Sequence, residues 1–143
     1  MTTLRLSLKD LSAAAYKGLI QTKTALDQGP LDAAIIELIN LRVSQINGCA
    51  YCTQMHSELL RQHDFENAKI DSVAGWRVSE RFSDRERAAL AWAESLTNVA
   101  ETAAPDEAYV PLKAYFSEAE ISDLSIAVAL MNAFNRVAIG ARL

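Results

Sequence analysis

The sequence predicts an all-α protein: one domain over residues 1–143, built as a bundle of about six to seven helices, with an extended N-terminal arm at about 1–8. Apolar residues recur at helical spacing from end to end. No strand–helix alternation interrupts them, which rules against a thioredoxin-type βαβ arrangement. Two capping boxes, Ser83 with Glu86 and Ser117 with Glu120, mark helix starts directly. A chain of 143 residues is long enough to bury one stable core, and no repeat, low-complexity tract or Pro/Gly-rich linker divides it.

Leu4, Leu6 and Leu8 alternate, which suggests the extended arm. Leu8, Leu11, Ala15, Leu19 and Leu26 fit one face of a first helix, closed near Gly29. Pro30 suits a first helical turn and opens a second helix to about Asn47. Its apolar residues wrap most of its circumference (Leu31, Ile35, Leu38, Ile39, Leu41, Val43), the pattern of a buried helix. Asn47-Gly48 breaks the run, and a third helix starts at the cysteines and continues to about His63. A short fourth helix is expected over Glu66 to Val73, a fifth from Ser83 through Asn98, and a sixth from Pro105 to about Phe116. Ser117 opens a long last helix to about Ile139, apolar nearly all round and expected in the core or a subunit interface.

Half the residues are hydrophobic and the net charge is −4. Without a Lys/Arg cluster, nucleic-acid binding is not expected. The mixed-sign stretch from Glu80 to Arg87 reads as a solvated face. Residues Met1 to Asp10 lack a signal-peptide core, and the most apolar tract, Ile126 to Met131, is too short to span a bilayer. A cytoplasmic protein with no membrane association is therefore expected. In that reducing setting a pair of cysteines three residues apart points to catalysis or metal binding rather than a structural staple, and the tiny loop it would close constrains little of the unfolded chain.

The chemistry concentrates between Glu37 and His56. If a helix begins at Gly48 or Cys49, both sulfurs of Cys49 and Cys52 lie in its first turn. Free backbone N–H groups and the positive end of the macrodipole favour thiolate over thiol there. Positions 49, 52 and 56 follow i, i+3, i+7 spacing, so the three side chains share one helix stripe. His56 is then placed to take the Cys52 proton as general base. Glu37 lies among Ile35, Ile36, Leu38 and Ile39 in the helix read as buried. A carboxylate there needs a partner, and a histidine that it orients would satisfy it. Taken singly, Glu37 could face a wet helix edge and His56 could be structural; with the cysteine pair, the catalytic reading is preferred.

The pattern Glu-x(11)-Cys-x-x-Cys-x(3)-His, within Leu-Arg-Val-Ser-Gln-Ile-Asn-Gly-Cys-Ala-Tyr-Cys, resembles the core of the AhpD-like alkylhydroperoxidase family, part of the carboxymuconolactone decarboxylase superfamily. The segment from Met131 to Ile139 also resembles the closing helix of that family. The resemblance runs from the second helix to the last. It implies an all-α fold assembled as a homo-trimer or homo-hexamer, and peroxidase chemistry with no bound organic cofactor and no metal. By this analogy Cys52 is the peroxidatic thiol, oxidised by a hydroperoxide to a sulfenic acid. Cys49 resolves it as an intramolecular disulfide, reduced by an external dithiol such as a lipoyl-protein or a thioredoxin-like partner. His56 is the general base and Glu37 completes the proton relay. Members that recycle through lipoylated protein can carry histidine immediately before the second cysteine. Here that residue is Tyr51, which is no base at neutral pH but could hydrogen-bond within the relay. The decarboxylase branch lacks the cysteine pair, so lactone decarboxylation is not assigned.

Two rival readings come from other classes. In the first, the pair serves redox sensing or thiol–disulfide exchange in an oligomer without efficient turnover. In the second, Cys49, Cys52, His56 and His63 bind zinc. Against zinc, all four lie on one helix, with His63 about 10 Å along the axis from His56; three ligands plus Glu37 or water remain open. His63 beside Asp64 reads more simply as a solvated residue at a helix C-terminus. Trp76, Trp92, Tyr109, Tyr115 and Phe116 read as core or interface residues, and no glycine-rich phosphate loop is present.

Overall fold

The central helix earns its place by having no polar side wide enough to face water. In the computed structural model, which describes residues 3–143, this helix, α3 (Ala33–Asn47), buries Leu38, Ile39, Leu41 and Val43 completely. It is preceded by α1 (Leu8–Leu11) and α2 (Ala13–Asp27), and followed by α4 (Ala50–Gln62), α5 (Asn67–Asp71) and a 3₁₀ helix (Val73–Val78). Then come α6 (Asp84–Thr97), α7 (Val99–Thr102), α8 (Asp106–Tyr109), a second 3₁₀ helix (Val110–Ala114) and α9 (Glu118–Ala141). Among the described residues there is no strand.

Helix α3 packs on α4, α6 and α9 at once and divides its side chains between two cores. Leu38 and Leu41 join Leu60, Ile70, Val73, Trp76, Phe82 and Leu90. Ile35, Ile36, Ile39 and Val43 join Trp92, Leu124 and Val128. The all-round apolar pattern of α3 is thus the signature of a helix with neighbours on several sides.

The expected count of six to seven helices is low, because several segments read as one helix are two. The first is broken at Ser12, whose φ of −130° and ψ of 45° leave the helical region. The fourth ends at Asp71 and continues as the 3₁₀ helix. The sixth changes to 3₁₀ geometry where Pro111 enters its first turn and removes a donor. A short α7 follows Asn98 and stops where Ala103 turns left-handed. Helix α3 begins at Ala33 rather than Pro30, since the Asp32 side chain accepts from Ala34 N–H at 2.8 Å and caps it. Both capping boxes form as read. Of the arm, Met1 and Thr2 lie outside the described residues; Arg5 N–H donates to the Ala141 carbonyl at 2.8 Å. Helix α9 as a whole is long and apolar enough to cross a membrane, which the short tract Ile126 to Met131 concealed, but 44% of its most apolar window is buried within the protein. Its inner face is core, while Ile126 and Ile139 stay exposed.

One polar cluster locks α3 to α6. Glu94 on α6 accepts from Arg42 Nε at 2.8 Å and Trp76 Nε1 at 2.8 Å, and from Arg77 at 2.9 Å. Burial alone would raise the Glu94 carboxyl, but these hydrogen bonds outweigh it and hold the group below the usual value of 4.5. Because the folded value lies below the unfolded one, the carboxylate's contribution is complete above about pH 4.5. It is lost as the pH falls through the lower, folded value. Glu94→Gln is expected to cost about 1–2 kcal/mol at neutral pH, discounted for solvent screening at Arg77, and to flatten the acid limb of the stability curve. Urea denaturation across a pH series checks both.

Candidate active site

The dithiol is presented by a turn that the sequence breaks on purpose. Gly48 ends α3 at φ +70°, the left-handed conformation that glycine adopts without Cβ strain. The chain then reverses onto α4, with the Cys49 N–H donating to the Ser44 carbonyl at 3.0 Å. Asn47 ties the turn to α9 by donating to Asn132 Oδ1 and Asn135 Oδ1, both at 3.0 Å. Asn135, fully buried, donates back to Ser44 Oγ at 3.0 Å. Arg136, unassigned from sequence, donates to Asn132 Oδ1 at 2.8 Å and supports the same network from outside.

Cys49 is the N-cap of α4, and its sulfur accepts the Cys52 backbone N–H at 3.4 Å. The two cysteines form a disulfide with their Cα atoms 5.4 Å apart. They are 2% and 3% exposed and pack on Ala138 of α9. One turn along α4, His56 is 2% exposed. Its Nδ1 and Glu37 Oε2 on α3 are 2.6 Å apart. With Glu37 ionised, Nδ1–H donates and Nε2 carries the lone pair. Nε2 is buried without a hydrogen-bond partner among the described residues. That is a costly state unless a donor reaches it.

A cavity of about 250 Å³ opens beside this group. Helices α2, α3, α4 and α9 supply its walls, with Ile20, Met131 and Phe134 among the apolar side chains and Tyr16, Glu37, Asn40 and His56 among those with polar groups. Cys52 lines the cavity and Cys49 does not. Tyr51 lines it too, but is 57% exposed and makes none of the hydrogen bonds of the His56–Glu37 pair. His63 is exposed as the C-cap of α4. Among the described residues no three His, Cys, Asp or Glu side chains form a group that could hold a metal ion, so the four donors considered for zinc are not assembled.

Structure therefore brings together Cys49, Cys52, His56 and Glu37, and leaves Tyr51 at the rim. Sequence reasoning missed Ser44, Asn135 and Asn40, together with the cavity wall from α2. A signal for two of these was present: Glu37, Asn40 and Ser44 fall at i, i+3, i+7 on a helix read as buried, a polar stripe in apolar surroundings.

Comparisons with known proteins bear on the family and the fold. Residues 13–95 match the Carboxymuconolactone decarboxylase family. The uncharacterized protein YdfG of Bacillus subtilis (strain 168) is 29% identical over 135 residues, covering 94% of this chain and 92% of the relative. A solved Agrobacterium tumefaciens protein of unknown function, proposed to be the antioxidant defence protein AhpD, superposes with a TM-score of 0.94 at 36% identity. That match covers 98% of this chain and 96% of the other. An uncharacterized peroxidase-related protein from Ralstonia eutropha JMP134, described as an alkylhydroperoxidase AhpD core, shares the fold at a TM-score of 0.80 and 22% identity, over 93% of this chain and 70% of its own. The chain belongs to the carboxymuconolactone decarboxylase family, as an AhpD-like member.

Proposed function

We propose that the protein is a cysteine-dependent peroxidase that reduces organic hydroperoxides with the Cys49/Cys52 pair. The observation that carries this reading is the buried, partnerless Nε2 of His56, one helical turn from Cys52 and oriented by Glu37. When the disulfide is reduced, the Cys52 S–H is the donor that Nε2 lacks. Proton transfer to Nε2 leaves a thiolate in the first turn of α4, where backbone N–H groups and the helix dipole stabilise it.

The thiolate attacks the distal peroxide oxygen. A sulfur–oxygen bond forms, the oxygen–oxygen bond breaks, and the alkoxide leaves as an alcohol with the proton held by His56. Cys52 is now a sulfenic acid. Cys49 attacks its sulfur, water leaves, and the disulfide forms. An external dithiol restores both thiols by exchange. Cys52 takes the peroxidatic role because it lines the cavity; Cys49, which does not, resolves.

The testing experiment is consumption of an alkyl hydroperoxide with dithiothreitol as reductant. Catalytic turnover by the wild-type protein supports the reading. Rapid disulfide formation with disulfide oxidants, but no peroxide consumption, would instead identify a redox sensor or thiol–disulfide exchange protein.

A further inference from the structure

We infer that Asn40 is a substrate-orienting residue whose carboxamide N–H donates to the peroxide and then to the developing alkoxide. The inference rests on the peroxidase reading and adds to it a second, non-titrating donor beside the relay.

Three observations converge on Asn40. Its residue is 6% exposed, yet its carboxamide is not sealed off: His56 Nε2 is the one fully buried, unpartnered side-chain polar atom among the described residues. It lines the same cavity as Cys52 and His56. Its side chain enters none of the hydrogen bonds that tie α3 to its neighbours: Glu37 serves His56, Arg42 serves Glu94, and Ser44 serves Asn135. The other buried asparagine shows the contrast. Asn135 is fully satisfied, donating to Ser44 Oγ and Met131 Sδ and accepting from Asn47.

A carboxamide that lines an apolar-walled cavity and enters no side-chain hydrogen bond among the described residues is free to bond a polar group on a molecule that enters the cavity. Among the other polar groups in the walls, Glu37 Oε2 and His56 Nδ1 are committed to each other, Lys23 pairs with Asp27 toward solvent, and the two tyrosine hydroxyls belong to half-buried Tyr16 and exposed Tyr51. Asn40 lies one turn beyond Glu37 on α3, so it belongs on the same helix face as the relay. A peroxide entering toward Cys52 gains from a second donor, beside the proton held by His56, for the oxygen that departs with negative charge. A neutral carboxamide offers that donor without titrating, and a fixed donor at developing charge is worth more than the same contact in water.

The test uses the full-length reduced protein and cumene hydroperoxide. Asn40→Leu keeps the side-chain shape and removes the donor. The rate of oxidation is expected to fall by about ten- to a hundredfold, the lower side of the effect of removing one donor to a developing oxyanion. The pH at which thiolate absorbance appears in the reduced protein is expected to stay where it is in wild type, because the His56–Glu37 relay is untouched. If Asn40→Leu does not fold, Asn40→Ala and Asn40→Ser replace it; they differ by one hydroxyl, and the serine variant is expected to react faster. An Asn40→Leu rate equal to wild type, or equal rates for the alanine and serine variants, overturns the assignment. So does a rate loss accompanied by a shifted thiolate titration, which would place Asn40 in support of the relay instead. Wild-type protein that does not react with cumene hydroperoxide overturns the peroxidase reading itself, and this assignment with it.

Discussion

Cys52→Ser is expected to abolish hydroperoxide turnover, lowering the rate by at least about 10⁴-fold, because a serine hydroxyl stays protonated where a thiol ionises and nothing else in the site can form the first sulfur–oxygen bond. Cys49→Ser should behave differently. Its Cys52 still lines the cavity and still has His56 one turn away, so the first oxidation should proceed. With no second thiol, the cycle stops at a sulfenic acid that a dimedone-type probe labels and mass spectrometry counts. The asymmetry matters more than either loss, since it assigns the two sulfurs. Equal labelling of Cys49 in Cys52→Ser would reverse the assignment.

His56→Ala is the second large effect expected, a fall of about 10²- to 10³-fold in the oxidation rate, within the usual range for a general base. Activity should return as the pH approaches the ordinary thiol value of about 8.5, where solvent removes the proton unaided. Glu37→Gln should cost less, about tenfold or more. The amide can still meet Nδ1, but it no longer fixes which ring nitrogen carries the proton. Stopped-flow oxidation of the reduced variants across a pH series checks both. If His56→Ala reacts as fast as wild type at neutral pH, the relay has no part in activating Cys52.

Much of this was readable in the sequence, for physical reasons that name themselves. The capping boxes at Ser83 and Ser117 are local chemistry, and they formed as written. The burial of α3 followed from an apolar circumference, and Asn47-Gly48 from the left-handed turn it makes. Glu37 was legible because a carboxylate among isoleucines needs a partner, and His56, which spacing set beside Cys52, is that partner. What the sequence concealed depends on distant segments meeting. The break at Ser12 carries no Gly or Pro, so nothing local announced it. Pro111 was visible, but the change to 3₁₀ geometry around it was not. The cavity is assembled from four helices far apart in the chain, and Asn135 finds Ser44 across 91 positions. Tyr51 drew notice for standing between the cysteines, and it lies at the rim; Asn40 drew none and lies inside.

The most direct test of the central claim is a single-turnover titration: fully reduced protein is mixed with one equivalent of cumene hydroperoxide, and free thiols, the alcohol product and the disulfide are measured together. The account predicts that both thiols of the chain disappear, that one equivalent of cumyl alcohol forms, and that peptide mapping finds Cys49 joined to Cys52. Thiols that persist while the peroxide remains would contradict it, and would leave the Cys49/Cys52 pair as a dithiol that exchanges with disulfides but does not reduce peroxides.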